Sequence, residues 1–174
     1  MPHDVFLLDT NILSNASKTR PIPTVSQWLA RQTRIAIPFA AIVEIEQGIV
    51  EVSRSQPQKA STLWDWADGL LKTDFDFPAM SPDVARMLGQ LHCCRPLKQL
   101  WLPDPRSNGK KPGQDLSIAA TAIVHKLPIA TLDAADFMLI QQYFPLPGVF
   151  NPAFGVWVVH PSSKLSARVD LTAA

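Results

Sequence analysis

Val5-Phe6-Leu7-Leu8-Asp9-Thr10-Asn11-Ile12-Leu13-Ser14 is the stretch whose reading decides the fold. Its opening apolar run, Val5 to Leu8, has the length and composition of a buried strand. The run stops at Asp9, and Asp9-Thr10-Asn11 offers the capping residue types that open a helix. The same strand-then-helix order recurs along the chain. Ile35-Ala36-Ile37 is a second short strand candidate ended by Pro38, and Ile42, Ile45 and Ile49 then recur at helical spacing between Phe39 and Val50. Pro128-Ile129-Ala130-Thr131 reads as a strand and Ala134 to Gln142 as a short helix. Val156-Trp157-Val158-Val159 is the clearest β run. Helical patterns also cover Ser26 to Arg31, Thr62 to Leu71 and the Val84, Leu88, Leu91 series, while Phe75-Asp76-Phe77 is a weaker strand candidate. Gly113-Gln114-Asp115 opens an Ala-rich helix reaching His125. Strands alternating with helices define an α/β fold around a mainly parallel sheet.

Composition sets the outer bounds. The chain has 174 residues, 47% hydrophobic and 18% charged, which fits one folded domain over 1–160 followed by a tail at 161–174. No apolar run approaches the ~18 residues of a membrane span, and no basic leader precedes a long apolar stretch, so the expected location is cytoplasmic, with no membrane partner. Cys93 and Cys94 are adjacent, which suits two reduced thiols rather than a disulfide or a metal site. The net charge of +1 does not announce a nucleic-acid binder. Arg95, Lys98, Arg106, Lys110 and Lys111 nevertheless gather in a Pro- and Gly-containing stretch that reads as a basic loop, either solvated surface or a contact for a phosphate backbone.

The informative residues are acids. In parallel α/β sheets functional groups collect beyond the carboxyl ends of the strands. Asp9 follows the first strand, Glu44 lies in the first turns of the helix after the second, Asp115 opens the Ala-rich helix, and Asp133 and Asp136 follow the strand ending at Thr131. Clustered carboxylates repel and retain protons unless a positive charge compensates. A hard divalent cation, Mg²⁺ or Mn²⁺, is the natural counter-charge, needing few protein carboxylates because it keeps several waters. Such a site suits in-line displacement at phosphorus.

Leu7-Leu8-Asp9-Thr10-Asn11-Ile12-Leu13-Ser14 resembles the opening motif of PIN domains, as found in VapC-type toxins and plasmid-stability proteins. Glu44-Ile45-Glu46-Gln47-Gly48-Ile49 looks like their glutamate-x-x-x-glycine segment. Asp115-Leu116-Ser117-Ile118-Ala119-Ala120-Thr121-Ala122 is similar to their third motif, and Thr131-Leu132-Asp133-Ala134-Ala135-Asp136-Phe137 to their closing one. These motifs stand in family order. The resemblance implies a three-layer α/β/α fold and a Mg²⁺- or Mn²⁺-dependent endoribonuclease, the toxin of a toxin–antitoxin pair. It also implies an RNA substrate, a cognate antitoxin that blocks the acidic pocket, and a homodimer. Carried over by position, Asp9, Glu44 and Asp115 are the central acids, with Asp133 or Asp136 as the fourth and Asn11 and Thr131 as supporting polar residues. Asp9 and Asp115 are expected to ligate the metal, the helix N-terminus helping to keep Asp115 ionised. Glu44 is expected to hold a water on the metal or to act as base.

Each residue also has an ordinary use. Asp9 caps helices well, Asp115 suits a helix N-terminus, Glu44 suits a solvated face, and Asp133 or Asp136 suits a turn. Trp28, Trp64, Trp66 and Trp157 read as core, Trp101 as a candidate for base stacking, and His92 and His125 as structural. Two other readings use the same acids: a non-catalytic PIN-like RNA-binding or scaffold module, and a receiver-like phosphoacceptor domain. The second expects a lysine after a late strand, and Pro128 to Phe137 contains none.

Overall fold

The computed structural model describes residues 5–102 and 113–161. Strand β1, Val5–Leu8, runs into helix α1, Thr10–Ala16, and a second helix α2, Pro23–Leu29, leads to β2, Arg34–Ala36. Helices α3, Phe39–Ser53, α4, Pro57–Leu71, and α5, Pro82–Cys93, follow, the last capped by the Ser81 hydroxyl accepting from the Val84 N–H. Then come α6, Asp115–His125, β3, Ile129–Ala130, α7, Ala135–Gln141, β4, Val149–Asn151, and β5, Val156–Val159.

The strands form one sheet in the order β2-β1-β3-β4-β5. All neighbours are parallel except β4 and β5, which are antiparallel. Side-chain direction alternates along each strand and divides the core in two. Leu7, Ala36, Ile129 and Val149 pack on one face with residues of α5, α6 and α7, such as Leu91, Ile118 and Phe137. Phe6, Leu8, Ile37 and Ala130 pack on the other with α1 to α4, including Ile12, Val25, Ile45 and Ala67. The result is the expected three-layer α/β/α arrangement. Among the described residues no helix is long and apolar enough to cross a membrane.

Several sequence expectations need amending. Strand β4 has no counterpart in the sequence reading, because its three residues sit between Gly148 and Pro152 and resemble a turn. Gly148 stands at φ +154°, where an added Cβ would lie 2.9 Å from Trp157 Cζ3, so the residue permits a close approach as well as a turn. Phe75-Asp76-Phe77 contributes only an isolated parallel bridge, Asp76 to Ala36. Trp64 is 39% exposed on α4 and is not core, whereas Trp28, Trp66 and Trp157 do pack against the apolar cluster. Arg95 and Lys98 belong to a 3₁₀ helix, Arg95–Leu100, rather than to irregular loop. Arg106, Lys110 and Lys111, and the tail from 162 onward, lie outside the described residues. Cys93 and Cys94 are free thiols, and His125 bonds the Ala79 carbonyl at 3.0 Å, a structural use.

Candidate active site

The chain steps from β1 outward to β2 and returns to the other flank of β1 as β3, so the strand order reverses between β1 and β3. A crevice opens beyond the carboxyl ends at such a reversal. Asp9 follows β1 and Asp133 follows β3, which places both on its rim. A cleft of about 340 Å³ lies there, lined by Asp9, Thr10, Asn11, Ser14, Glu44, Asp115, Asp133 and Asp136. Every acid singled out in the sequence reaches it, and no Lys or Arg is among these lining residues.

Asp9 is buried, at 5% exposure. It occupies the N-cap position of α1, yet its side chain makes no capping hydrogen bond, so the ordinary capping reading fails. Its carboxylate Oδ2 instead accepts from Asn11 Nδ2 at 2.7 Å and from the Thr131 hydroxyl at 2.7 Å. Asn11 Nδ2 also donates to Thr131 Oγ at 3.0 Å, and Asn11 Oδ1 accepts from the Leu132 N–H at 2.9 Å. The two supporting polar residues thus tie the end of β1 to the end of β3.

Glu44 is half-buried in the second turn of α3, where the Thr10 hydroxyl donates to its Oε2 at 2.7 Å. Asp115 is the first residue of α6 and Asp136 lies in the first turn of α7, and both line the cleft. Asp133 divides its work: it lines the cleft, and its Oδ1 accepts from the Ala135 N–H at 3.1 Å, which caps the start of α7.

Proton affinities register the crowding. Burial raises Asp9 to about 6, against the hydrogen bonds from Thr131 and the Thr10 backbone, with Glu44 and Asp133 adding repulsion. Asp115 rises to about 7, through burial first and then the charges of Asp9, Asp136 and Glu44. The helix N-terminus was expected to keep Asp115 ionised; desolvation and three neighbouring carboxylates outweigh it. Asp136 is raised as well, by burial first and then by the charge of Asp133.

The donor set is all oxygen, carboxylate with hydroxyl and amide nearby, which matches hard Mg²⁺ or Mn²⁺ rather than Zn²⁺. No group of three or more His, Cys, Asp or Glu residues among those described is placed to hold a metal ion together.

Two polar residues lining the cleft, and one behind it, escaped the sequence reading. Thr10 holds Glu44, and Ser14 lines the cleft one turn of α1 beyond Asn11. Asn151, 6% exposed, donates from Nδ2 to the Leu132 carbonyl at 3.1 Å and accepts from the Ala153 N–H at 3.0 Å. It pins the segment carrying Thr131 and Asp133 from the far side. Spacing along α1 was the available signal for Ser14; Asn151 had none, because its strand was invisible.

No family model and no curated protein matches this sequence. Solved structures do match its shape. A chain of the FitAB complex bound to an IR36 DNA fragment superposes with a TM-score of 0.60 at 23% identity, covering 85% of this chain and 95% of that one. A chain of FitAcB from Neisseria gonorrhoeae gives 0.58 at 22% identity, covering 85% and 97%. One from VapBC2 of Rickettsia felis, bound to a DNA fragment from its promoter, gives 0.55 at 20% identity, covering 84% and 98%. At these identities the likeness concerns the fold, and the fold is PIN-like: a mainly parallel five-stranded sheet between two layers of helices, with the acids at its carboxyl edge.

Proposed function

We propose that this chain is a metal-dependent endoribonuclease and the toxin of a two-protein toxin–antitoxin system. The observation that carries the reading is the cleft: five carboxylates from separate elements converge with no basic side chain among the lining residues. Burying like charges together opposes folding, and an ordinary structural role gives no reason to retain them. A divalent cation resolves the repulsion, and Asp9 and Asp115 are the residues assigned to hold it. When bound, it supplies positive charge that stabilises the phosphodiester transition state and makes water a usable nucleophile at neutral pH.

The chain's own groups do the rest. Asn11 and Thr131 fix the Asp9 carboxylate, so its orientation needs no adjustment as substrate arrives. Glu44, oriented by Thr10, is the group assigned to take a proton from the attacking water. Burial and the neighbouring carboxylates favour the protonated form of Asp115, and a bound cation would favour the ionised one. Asp136 is favoured as the fourth acid because Asp133 commits one oxygen to the Ala135 N–H at the start of α7. The likeness to chains of the FitAB and VapBC2 complexes supports a protein partner for this chain; a partner that covers the cleft and a homodimeric toxin complete the proposal.

The test uses purified, partner-free chain with a labelled single-stranded RNA pool and Mg²⁺, Mn²⁺ or EDTA. Cleavage that requires the cation and is lost in both Asp9→Asn and Asp115→Asn supports the reading. Folded wild-type protein that leaves the RNA intact with either metal contradicts it.

A further inference from the structure

A second cavity, about 380 Å³, lies on the other side of the residues that wall the acidic cleft, lined by Gln47, His92, Trp101, Gln114 and Ser117 with Gly113 and Leu116. The two share their scaffolding. Glu44 of the cleft and Gln47 of the cavity are one turn apart on α3, hence on neighbouring surface. Asp115 lines the cleft, while Gln114 just before it and Ser117 two residues after it line the cavity. Gly113 matters to both, because an added Cβ there would lie 2.8 Å from Asp115 Oδ2.

A residue in the cavity wall carries an unsatisfied donor. Trp101 Nε1 is the buried side-chain nitrogen that has no hydrogen-bond partner among the described residues. An indole N–H only donates, and leaving one buried without an acceptor is costly. The Trp101 ring packs against His92, with centroids 4.6 Å apart and planes 31° from parallel. Gln47, Gln114 and Ser117 add side chains that can both donate and accept. Aromatic faces beside amides, in a volume that holds one nucleoside, are what an unpaired base requires.

We infer that this cavity is a nucleobase subsite, which seats an unpaired base next to the phosphodiester bond held in the acidic cleft and satisfies Trp101 Nε1 with an acceptor on that base. The inference rests on the nuclease reading for its place in the reaction, and it gives that reading a source of sequence preference. The base is positioned, and through it the scissile phosphate; no bond is made or broken here.

Two measurements test it. In the first, the indole ¹H–¹⁵N signal of Trp101 is followed while a short single-stranded oligoribonucleotide is added in EDTA, so no cleavage intervenes. The signal is expected to move with the oligonucleotide and to stay in place with an abasic sugar-phosphate of the same length. In the second, cut sites in an RNA pool are compared between wild type and Trp101→Phe, which keeps an aromatic ring and removes the donor, with Gln47→Leu in parallel should the first variant fold poorly. The expected result is a base preference at one position beside the cut in wild type that each variant flattens, with cleavage of the preferred sequence falling about tenfold. Trp101 moving in a chain that cuts nothing would sink the nuclease reading and leave the subsite standing. Cleavage whose base preference is unchanged in the variants, with Trp101 unmoved, would overturn the subsite and leave the nuclease. An unmoved indole and no cleavage would remove both.

Discussion

Within a few residues of one another, the same strands build two regions with opposite physics. Phe6 of β1, Phe150 of β4, Trp157 of β5 and Trp28 of α2 form an aromatic cluster on the α1–α4 face, with ring centroids 5.2 to 5.8 Å apart. Three residues beyond Phe6 stands Asp9 of the acidic cleft, and next to Phe150 stands Asn151, which holds the Leu132 carbonyl beside the cleft's Asp133. In the aromatic cluster every contact supports every other, through apolar burial and edge-to-face or offset ring geometry. In the cleft the neighbouring carboxylates raise the proton affinities of Asp9 and Asp115. A protein that builds the first so well, and keeps the second, is retaining the cleft for a purpose other than stability.

The largest effect that would break this comparison is on catalysis. Asp115→Asn is expected to lower RNA cleavage by at least about 100-fold, the scale of losing an electrostatic group at a reacting phosphate. At pH 7.5 without metal the same variant is expected to be the more stable protein, by on the order of 2 kcal/mol, read by urea denaturation. A variant both inactive and less stable would show that Asp115 is a structural residue. Phe6→Ala serves as the counterpart from the other region. It should cost roughly 3–5 kcal/mol of stability, and the folded fraction, assayed at low temperature, should still gain stability from Mn²⁺.

The pH dependence separates the regions again. Asp9 and Asp115 have folded pKa values of about 6 and about 7 against an ordinary 3.8. The folded state therefore binds more protons than the unfolded one across that window, and stability falls as pH rises from about 4 to about 7, then levels off. Metal-free melting curves between pH 4.5 and 8 should show that decline in wild type and a shallower one in Asp9→Asn and Asp115→Asn. A wild-type profile that rises through the window would reverse the sign and remove the argument for an uncompensated cleft. Phe6→Ala should lower the whole profile without changing its slope.

Smaller effects sharpen the picture. Asn151→Ala leaves the Leu132 carbonyl and the Ala153 N–H without their partner, and is expected to cost about 1–2 kcal/mol. Cleavage should fall further than folding does, since the Thr131–Asp133 segment loses its rear support. Gly48→Ala is the mildest. No atom lies within 4 Å of a Cβ built there, so better helix propensity should stabilise the free chain by roughly 0.5–1 kcal/mol. Thermal melts of the two variants check both values.

What was legible in the sequence follows the same division. Strands β1, β2 and β5 and the helices from α3 onward carry runs or periodicities that depend on their own residues, and they stand where the pattern placed them. Strand β4 is set by pairing with β3 and β5 across the sheet, and three residues between Gly148 and Pro152 contain no such information. Asp9, Glu44, Asp115, Asp133 and Asp136 were visible because each follows or opens an element at the carboxyl edge. Their protonation was not. The N-terminus of α6 is a local feature that sequence reveals, whereas desolvation of Asp115 and the repulsion from Asp136 arise only when α6 and α7 are packed side by side. Trp101 shows the same limit: its place by the basic stretch suggested stacking, but the unsatisfied Nε1 and the cavity exist only in three dimensions.

The most direct measurement of the central claim, that a divalent cation supplies the charge the cleft lacks, is the metal-induced shift in melting temperature at pH 7.5. The account predicts that saturating Mn²⁺ raises the wild-type value by several degrees, since ligand at about 100 times its Kd contributes roughly 2.7 kcal/mol. Asp9→Asn and Asp115→Asn should lose most of that shift while remaining folded. An equal shift in all three proteins, or none in the wild type, would contradict it.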